Sequence, residues 1–300
     1  MDAVVIHETG GPEVLSLEEI DRPEPGEGEV LIRVRAASVN PVDWKGRRSL
    51  DEEDLPAVLG QDVAGIVELS RAVGVAEGDE VFGVAASGGY AEYATAAAGS
   101  IARKPAGLTF EQAAGIPVAG MTAWQALFDR AGLERGQTAL IAGAAGGVGH
   151  LAVQLARHAG ARAIGTGSTR NRDFVLGLGA EEYVDYTRQD VAEAVSGADV
   201  ALDTVGGDVT AGLVPILREG GILVTIAAAP PEEAARERGA RAELHVSSPD
   251  PEQLARIAEL IAAGEVRIEV AELPFAEVRR AHEQSESGHT RGKLVLGVSP

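Results

Sequence analysis

The sequence predicts an α/β chain of two textures, and three observations carry that reading. Residues 1–100 hold short, frequent strand patterns separated by Gly and Pro, the texture of a small barrel or sandwich. From about residue 110, strand and helix patterns alternate, the rhythm of a parallel sheet covered on both faces. Within that second part, the apolar run Ala139 to Ala142 enters a turn with Gly143, Gly146, Gly147 and Gly149, and a helical pattern follows at Leu151, Val153, Leu155 and Ala156, up to Gly160.

Taken in order, Val4 to Ile6, Leu15 to Leu17 and Val30 to Ala36 read as strands, with Pro23, Pro25, Gly26 and Gly28 between the last two. Val63 to Leu69, Glu80 to Val84 and Ala91 to Thr95 add three more. Thr109 with Gln112 has the spacing of a capping box. Pro117 to Asp129 follows as a helix. Strands are then predicted at 138–142, 162–166, 182–186, 199–203 and 221–226, and helices at 151–159, 171–178, 188–196 and 207–218. Ala242 to Val246 reads as a sixth strand at the sheet edge, while Ala234 to Gly239 before it has no clear pattern. Pro251 to Ala263 is a helix stopping at Gly264. Val266 to Val270 and Lys293 to Val298 read as strands flanking a helix at 275–286.

With 300 residues, 45% of them hydrophobic, the chain can bury a sizeable core. The absence of cysteine excludes disulfides, thiolate catalysis and cysteine-ligated zinc, and it fits a reducing, cytoplasmic setting. A net charge of −20 argues against nucleic-acid and anionic-membrane partners. An alternating strand follows Met1 at once, so no signal peptide is expected. No unbroken apolar window is long enough for a transmembrane helix.

The glycine turn suggests a phosphate site. Backbone approaches a pyrophosphate where no Cβ intrudes, and the following helix aims N–H groups and a positive dipole end at the anion. Ala144 stands where the strict G-x-G-x-x-G pattern has its first Gly, but the strand at 162–166, one helix length on, supplies the strand–helix–strand context. An NAD site places an acid at the end of that second strand. Here Gly165 to Arg172 contains none, and Ser168, Arg170 and Arg172 suit a ribose 2′-phosphate, so NADPH is the expected cofactor.

Several segments together resemble the medium-chain dehydrogenase/reductases, in their zinc-free quinone oxidoreductase (zeta-crystallin-like) branch. They are Ser38 to Asp43, Pro56 to Gly65, Gly78 to Val81, Gly88 to Tyr93, Pro117 to Trp124, Gly143 to Gly149, Asp203 to Gly207 and Gly288 to Lys293. The resemblance covers almost the whole chain. It implies a GroES-like β-barrel catalytic domain, residues 1–115 and 265–300, around an inserted Rossmann dinucleotide-binding domain, residues 116–264.

Zinc members of that superfamily carry cysteine ligands and a Gly-His-Glu segment. This chain has no cysteine and reads Gly60-Gln61-Asp62 there, and its six histidines lie at no ligand spacing, so no metal is expected. Without a Lewis acid to stabilise an alkoxide, the easier chemistry is hydride addition to an electron-poor acceptor, a quinone or an α,β-unsaturated carbonyl.

The resemblance implies that Asn40, Pro41 and Asp43 lie in a loop that holds the nicotinamide and faces the substrate. Asn40 is the first catalytic candidate, although the same residue before Pro41 also reads as an Asx turn. Lys45, where relatives often carry Tyr, is the second; it reads equally as a carbonyl donor or a solvated charge. The cofactor set implied by the motifs is Thr122, Gly143, Ala145, Gly146, Gly147, Val148, Gly149, Ser168, Arg170, Arg172, Tyr186, Thr204 and Lys293. Asp62 reads as structural. Relatives pair the sheet-edge strand across a two-fold axis, so a homodimer is expected unless the charged run after Pro230-Pro231 folds over the edge. Two further readings stay open beside the quinone or enone reductase: a cofactor-binding protein with little turnover, and an alcohol dehydrogenase-type carbonyl reductase.

Overall fold

The structure, a computed structural model, describes residues 1–298. In chain order the first elements are β1 (Asp2–Ile6), β2 (Ser16–Glu19), β3 (Glu29–Val39), α1 (Pro41–Ser49), β4 (Ala57–Val58), β5 (Asp62–Ser70), β6 (Glu80–Val84), β7 (Tyr93–Ala97) and β8 (Ile101–Arg103). The helices α2 (Phe110–Ala114) and α3 (Pro117–Trp124) follow. The alternating segment comprises β9 (Thr138–Ala142), α4 (Gly149–His158), β10 (Arg162–Gly167), α5 (Arg172–Gly177), β11 (Glu182–Asp185), α6 (Val191–Ala194), β12 (Ala198–Asp203), α7 (Asp208–Gly212), β13 (Leu217–Thr225), α8 (Glu232–Glu237) and β14 (Arg241–Leu244). The chain continues through α9 (Pro251–Ala262), β15 (Val270–Pro274), α10 (Val278–Glu286) and β16 (Lys293–Gly297). They form two compact units. One holds Met1–Ala119, Pro249–Gly264 and the stretch from Ile268 onward; the other holds Gly120–Ser248 and Glu265–Arg267.

In the first unit, a seven-stranded sheet runs β15-β16-β3-β5-β6-β8, with β7 also paired to β3, and a three-stranded sheet runs β2-β1-β4. The long strand β3 is the spine: β5, β7 and β16 all pair with it antiparallel. Its register slips against β5 between Leu31 and Ile32 and between Val34 and Ala36, and bulges of this kind bend a strand and raise its twist. Ile6, Ile32, Val34, Val63, Tyr90, Leu294 and Leu296 share the resulting core.

In the second unit, six strands pair in parallel in the order β11-β10-β9-β12-β13-β14. Sequence order reverses between β9 and β12, the switch point outside which open α/β sheets bind ligands. The strands β9, β10 and β12 are buried almost throughout, as a sheet covered on both faces requires.

The elements depart from the sequence reading in places that have local causes. The residues after Asn40 are a helix, not a loop: Pro41 stands at N1 and the Asp43 carboxylate reaches back to the Asn40 N–H, a helix start written in the sequence. The predicted strand at 266–270 does not form, because the backbone N–H and C=O of Arg267 are both engaged by the Gln154 side chain; β15 begins at Val270 instead. The helix predicted at 207–218 ends at Gly212, and a short 3-10 turn at Val214–Ile216 containing Pro215 leads into β13. The helix after β11 is one turn, Val191–Ala194. Glu232–Glu237, without a clear pattern in the sequence, is α8. The helix from Pro117 widens to a π-helix at Gln125–Arg130, where the Gln125 amide bonds the backbone of Ser248 in both directions.

The capping box at α2 is present in full. Thr109 accepts from the Gln112 N–H and the Gln112 side chain accepts from the Thr109 N–H, each at 3.1 Å. Thr109→Ala is therefore expected to cost about 1 kcal/mol in urea denaturation. An unchanged midpoint would show that the box adds nothing.

Candidate functional site

In the second unit the glycine turn leaves the end of β9 at the sheet's switch point. Gly143 takes φ +72°, and the Thr204 hydroxyl, following β12, donates to the Ala142 carbonyl at 2.7 Å. A Cβ on Gly149 would lie 2.2 Å from the Gly143 carbonyl oxygen, so the turn closes onto α4 only with glycine there. Ala144, the departure from the strict glycine pattern, is fully buried. A Cβ on Gly165 of β10 would come within 2.9 Å of the Ala144 Cβ; the bulk added on one strand end is removed from its neighbour. From Gly149 to Ala156 every residue of α4 is buried, which packs the helix against the sheet with its N-terminus behind the turn.

After β10, Ser168 opens a 3-10 turn at Thr169–Asn171 that leads into α5. Arg170 and Arg172 are exposed, Arg172 lying 3.5 Å from Asp173, and Tyr186 is 57% exposed just beyond β11. The structure thus brings Ser168, Arg170, Arg172 and Tyr186 to the ends of two adjacent strands. The acid at the end of β11, Asp185, is bonded by Thr169 and Thr187. Thr122, on α3, donates to the Ser247 hydroxyl at 3.0 Å.

In the first unit, Asn40, Asp43, Asp62 and Lys293 form one buried cluster, none more than 4% exposed. Asp62 Oδ2 accepts from the Ser38 hydroxyl at 2.7 Å and the Asn40 amide at 2.8 Å, Oδ1 accepts from the Val118 N–H at 2.9 Å, and the Lys293 ammonium lies 3.7 Å away. Lys293 also donates to Asn40 Oδ1. The Asn40 side chain therefore has a forced orientation, amide nitrogen to the carboxylate and oxygen to the ammonium.

A directed chain of donors ends on the other carboxylate. Arg47, fully buried, donates to His282 Nδ1 at 2.8 Å, so the neutral ring carries its proton on Nε2, 3.3 Å from the Tyr90 oxygen. Tyr90 in turn donates to Asp43 at 2.9 Å, and the Asn40 N–H donates to the same oxygen at 2.7 Å. Burial, then the neighbouring Arg47 charge, push His282 down to about 3. Burial raises Tyr90 well above the usual phenol range and lowers Lys293. Burial is also the main cause that pushes Asp43 up to about 7, with the Asp62 charge adding to it. Two carboxyl groups and one ammonium share a dry site, and a proton held on Asp43 balances them.

Lys45 stands apart from this cluster, exposed on α1 with its ammonium 5.7 Å from the Trp44 ring. Pro41 is exposed at the first turn of the same helix. Tyr90, Arg47 and His282 did not emerge as site residues from the sequence. Tyr90 lay inside a recognised motif, whereas the other two meet only in the fold.

The first unit also tests whether zinc suits this chain. Asp62 is committed to three hydrogen-bond donors and an ammonium, and Gln61 beside it is exposed. No cluster of three His, Cys, Asp or Glu among the described residues is arranged to hold a metal ion. This donor set does not fit zinc.

Two family models match the chain: an alcohol dehydrogenase GroES-like domain over residues 26–106 and a zinc-binding dehydrogenase over residues 178–296. Among curated proteins, the chain is 34% identical to the NADPH-dependent alkenal/one oxidoreductase of Arabidopsis thaliana, covering 100% of this chain and 80% of that one. It is also 34% identical to the quinone oxidoreductase of Mus musculus, over 99% of this chain and 97% of that one. Among solved structures, the quinone oxidoreductase of Coxiella burnetii superposes with a TM-score of 0.93 at 38% identity, covering 100% and 99% of the two chains. The Escherichia coli quinone oxidoreductase complexed with NADPH gives 0.90 at 28% identity, over 99% and 100%. The fold is thus the expected one, a GroES-like part with a Rossmann-type parallel sheet.

The proton on Asp43 predicts a pH effect with a definite sign. The folded value of about 7 lies above the unfolded 3.8, so the folded state binds more protons between them. Asp43 then contributes stability that is fully present below pH ~4 and lost as pH rises through ~7. Asp43→Asn cannot titrate, so its urea midpoint should fall less between pH 5 and pH 8 than that of the unaltered protein. Equal falls would refute the buried proton.

Proposed function

The chain belongs to the quinone oxidoreductase family of the medium-chain dehydrogenase/reductases, and from that premise we propose that it reduces quinones or α,β-unsaturated carbonyls with NADPH and without a metal. The observation that carries the reading is the glycine turn at the strand-order reversal, followed one strand on by an acid-free turn bearing Ser168, Arg170 and Arg172. The reading keeps the expected division, residues 1–115 and 265–300 against a cofactor-binding part at 116–264, although the compact units place Pro249–Gly264 with the first and Glu265–Arg267 with the second.

NADPH, when bound, supplies the hydride; the chain's residues bind, orient and balance charge. The turn from Gly143 to Gly149, with Ala145, Gly146, Gly147 and Val148 between, and Thr204 beside it, would hold the pyrophosphate at the N-terminus of α4. Ser168, Arg170, Arg172 and Tyr186 would take the 2′-phosphate. Asn40, Pro41, Asp43, Thr122 and Lys293 belong to the nicotinamide end of the proposal. Lys293 and Asp62 hold the Asn40 amide in one orientation, which suits a group that must present a fixed donor or acceptor to a reacting molecule. Lys45, exposed on α1, is retained as a substrate-side donor only. A cytoplasmic setting completes the reading, supported by the absence of cysteine; no helix among the described residues is long and apolar enough to cross a membrane.

The first test is cofactor choice. Titration of the intrinsic tryptophan fluorescence should give NADPH binding at least about tenfold tighter than NADH, the size of one charge-assisted contact. Arg170→Ala combined with Arg172→Ala should weaken NADPH by about 1.5–3 kcal/mol and NADH little. Equal affinities in the unaltered protein would defeat the assignment, and oxidation of NADPH across a panel of quinones, enones and aldehydes would identify the acceptor class.

A homodimer is the second part of the proposal. β14 is an edge strand, and Leu244 and Val246 expose 51% and 79% of their surface there. An apolar edge of unpaired backbone invites a second copy across a two-fold axis. Light scattering during size exclusion should give the mass of two chains, and Leu244→Asp with Val246→Asp should reduce it to one. A monomer before mutation, or a dimer indifferent to both aspartates, would place no interface at this edge.

A further inference from the structure

We infer that Thr169 and Asp185 are positioning residues that set the choice between the two nicotinamide dinucleotides, by locking the turn from Gly167 to Arg172 and keeping the nearby acid away from the ribose. The inference rests on the NADPH reading above and adds the device that makes it selective.

The turn is fastened to β11 and the residues after it at three points. The Tyr183 hydroxyl donates to the Ser168 carbonyl at 2.7 Å, the Tyr186 N–H donates to the Gly167 carbonyl at 3.3 Å, and the Thr169 hydroxyl donates to Asp185. A Cβ on Gly167 would lie 2.4 Å from the Tyr183 hydroxyl oxygen, so the first contact depends on glycine at that position. Within the turn the Asn171 N–H closes onto the Ser168 carbonyl at 2.9 Å. Arg170 and Arg172 thus rise from backbone that is already fixed, which lowers the ordering cost of gripping a dianion with two long side chains.

Asp185 carries the second half of the argument. An acid beside a ribose favours a free 2′-OH and repels a 2′-phosphate. Here the carboxylate, at the end of the strand next to the turn, accepts from the Thr169 hydroxyl, from the Thr187 hydroxyl at 2.6 Å and from the Thr187 N–H at 3.0 Å. Those donors occupy its oxygens and, led by the Thr169 hydroxyl, hold its pKa below the usual carboxylate range. The carboxylate stays charged, but its acceptor oxygens are taken by the protein's own turn and are not left to accept from a ribose hydroxyl. A sequence scan for an acid at the end of β10 misses this residue, because it sits one strand further on.

The test is equilibrium binding of NADPH and NADH, without an acceptor, to Thr169→Val, Thr169→Ser and Tyr183→Phe. Thr169 is exposed, so the valine variant tests the hydroxyl without opening a core. Thr169→Val should lose about tenfold in NADPH affinity while NADH changes less than about twofold, the effect of one charged hydrogen bond and the acid it releases. Thr169→Ser should restore the preference, and Tyr183→Phe should weaken NADPH in the same selective way. In the background of Arg170→Ala and Arg172→Ala, Thr169→Val should add nothing further, because the locked turn then has no guanidinium to present. If the unaltered protein prefers NADPH and Thr169→Val leaves the ratio unchanged, or weakens both cofactors alike, the inference falls while the cofactor reading stands. If the unaltered protein shows no NADPH preference, both fall together.

Discussion

The pairing of Asp62 with Lys293 is the constraint on which the first unit's site depends. In the sheet, β16, β3 and β5 are neighbours, and Ser38 at the end of β3 sits opposite Asp62 on one side and Val295 on the other. A carboxylate from β5 and a hydroxyl from β3 meet at one level, and the ammonium of Lys293, two residues before Val295 on β16, reaches to within 3.7 Å of the carboxylate. Each charge is buried and each is answered by the other. Breaking one side of such a pair is far more costly than the pair is favourable, since it strands the partner in a low-dielectric site. Asn40 takes its orientation from both, and α1 starts at the very next residue.

The same pair fills the place beside Asp62 with an ammonium, in a chain whose matching family model is described as zinc-binding. The protein places a lysine side chain, tethered by its own backbone, against the carboxylate. A lysine ammonium brings charge and three hydrogen-bond donors but no vacant coordination position. It can orient and neutralise, and its pKa is already lowered by burial. That division of labour fits acceptors that are electron-poor before they bind.

How much of this was legible in the sequence follows from the range of the interactions. The strand, turn and helix around Gly143 to Gly149 and the Thr109–Gln112 box are written within a few residues, and both are present. The helix at Pro41 has its start signals in the sequence, Pro at N1 and Asp at N3, while the family resemblance implies a loop there. Arg47 and His282 lie 235 positions apart, and no local pattern distinguishes them from other basic residues. The false strand at 266–270 had the right alternation, with Val266 and Ile268 buried; the Gln154 amide took the backbone groups that a neighbouring strand needed. Ala144 and Gly165 show a middle case. The first departs from the glycine motif, and the second yields the space for its methyl group.

Strand β16 sits beside β3 in a sheet whose other members, apart from β15, all lie before Lys104. On a ribosome, more than two hundred residues are added after Asp62 before Lys293 appears. The parallel sheet of the second unit lies wholly in that interval and has all its strands by Leu244. The first unit must wait, with a carboxylate destined for its interior still wet and β3 lacking a neighbour along Ala36 to Val39. A nascent chain is thus held to an order of assembly by where one cation is encoded, and an mRNA cut short after residue 290 would yield a complete dinucleotide sheet attached to a half-built partner exposing an open strand edge.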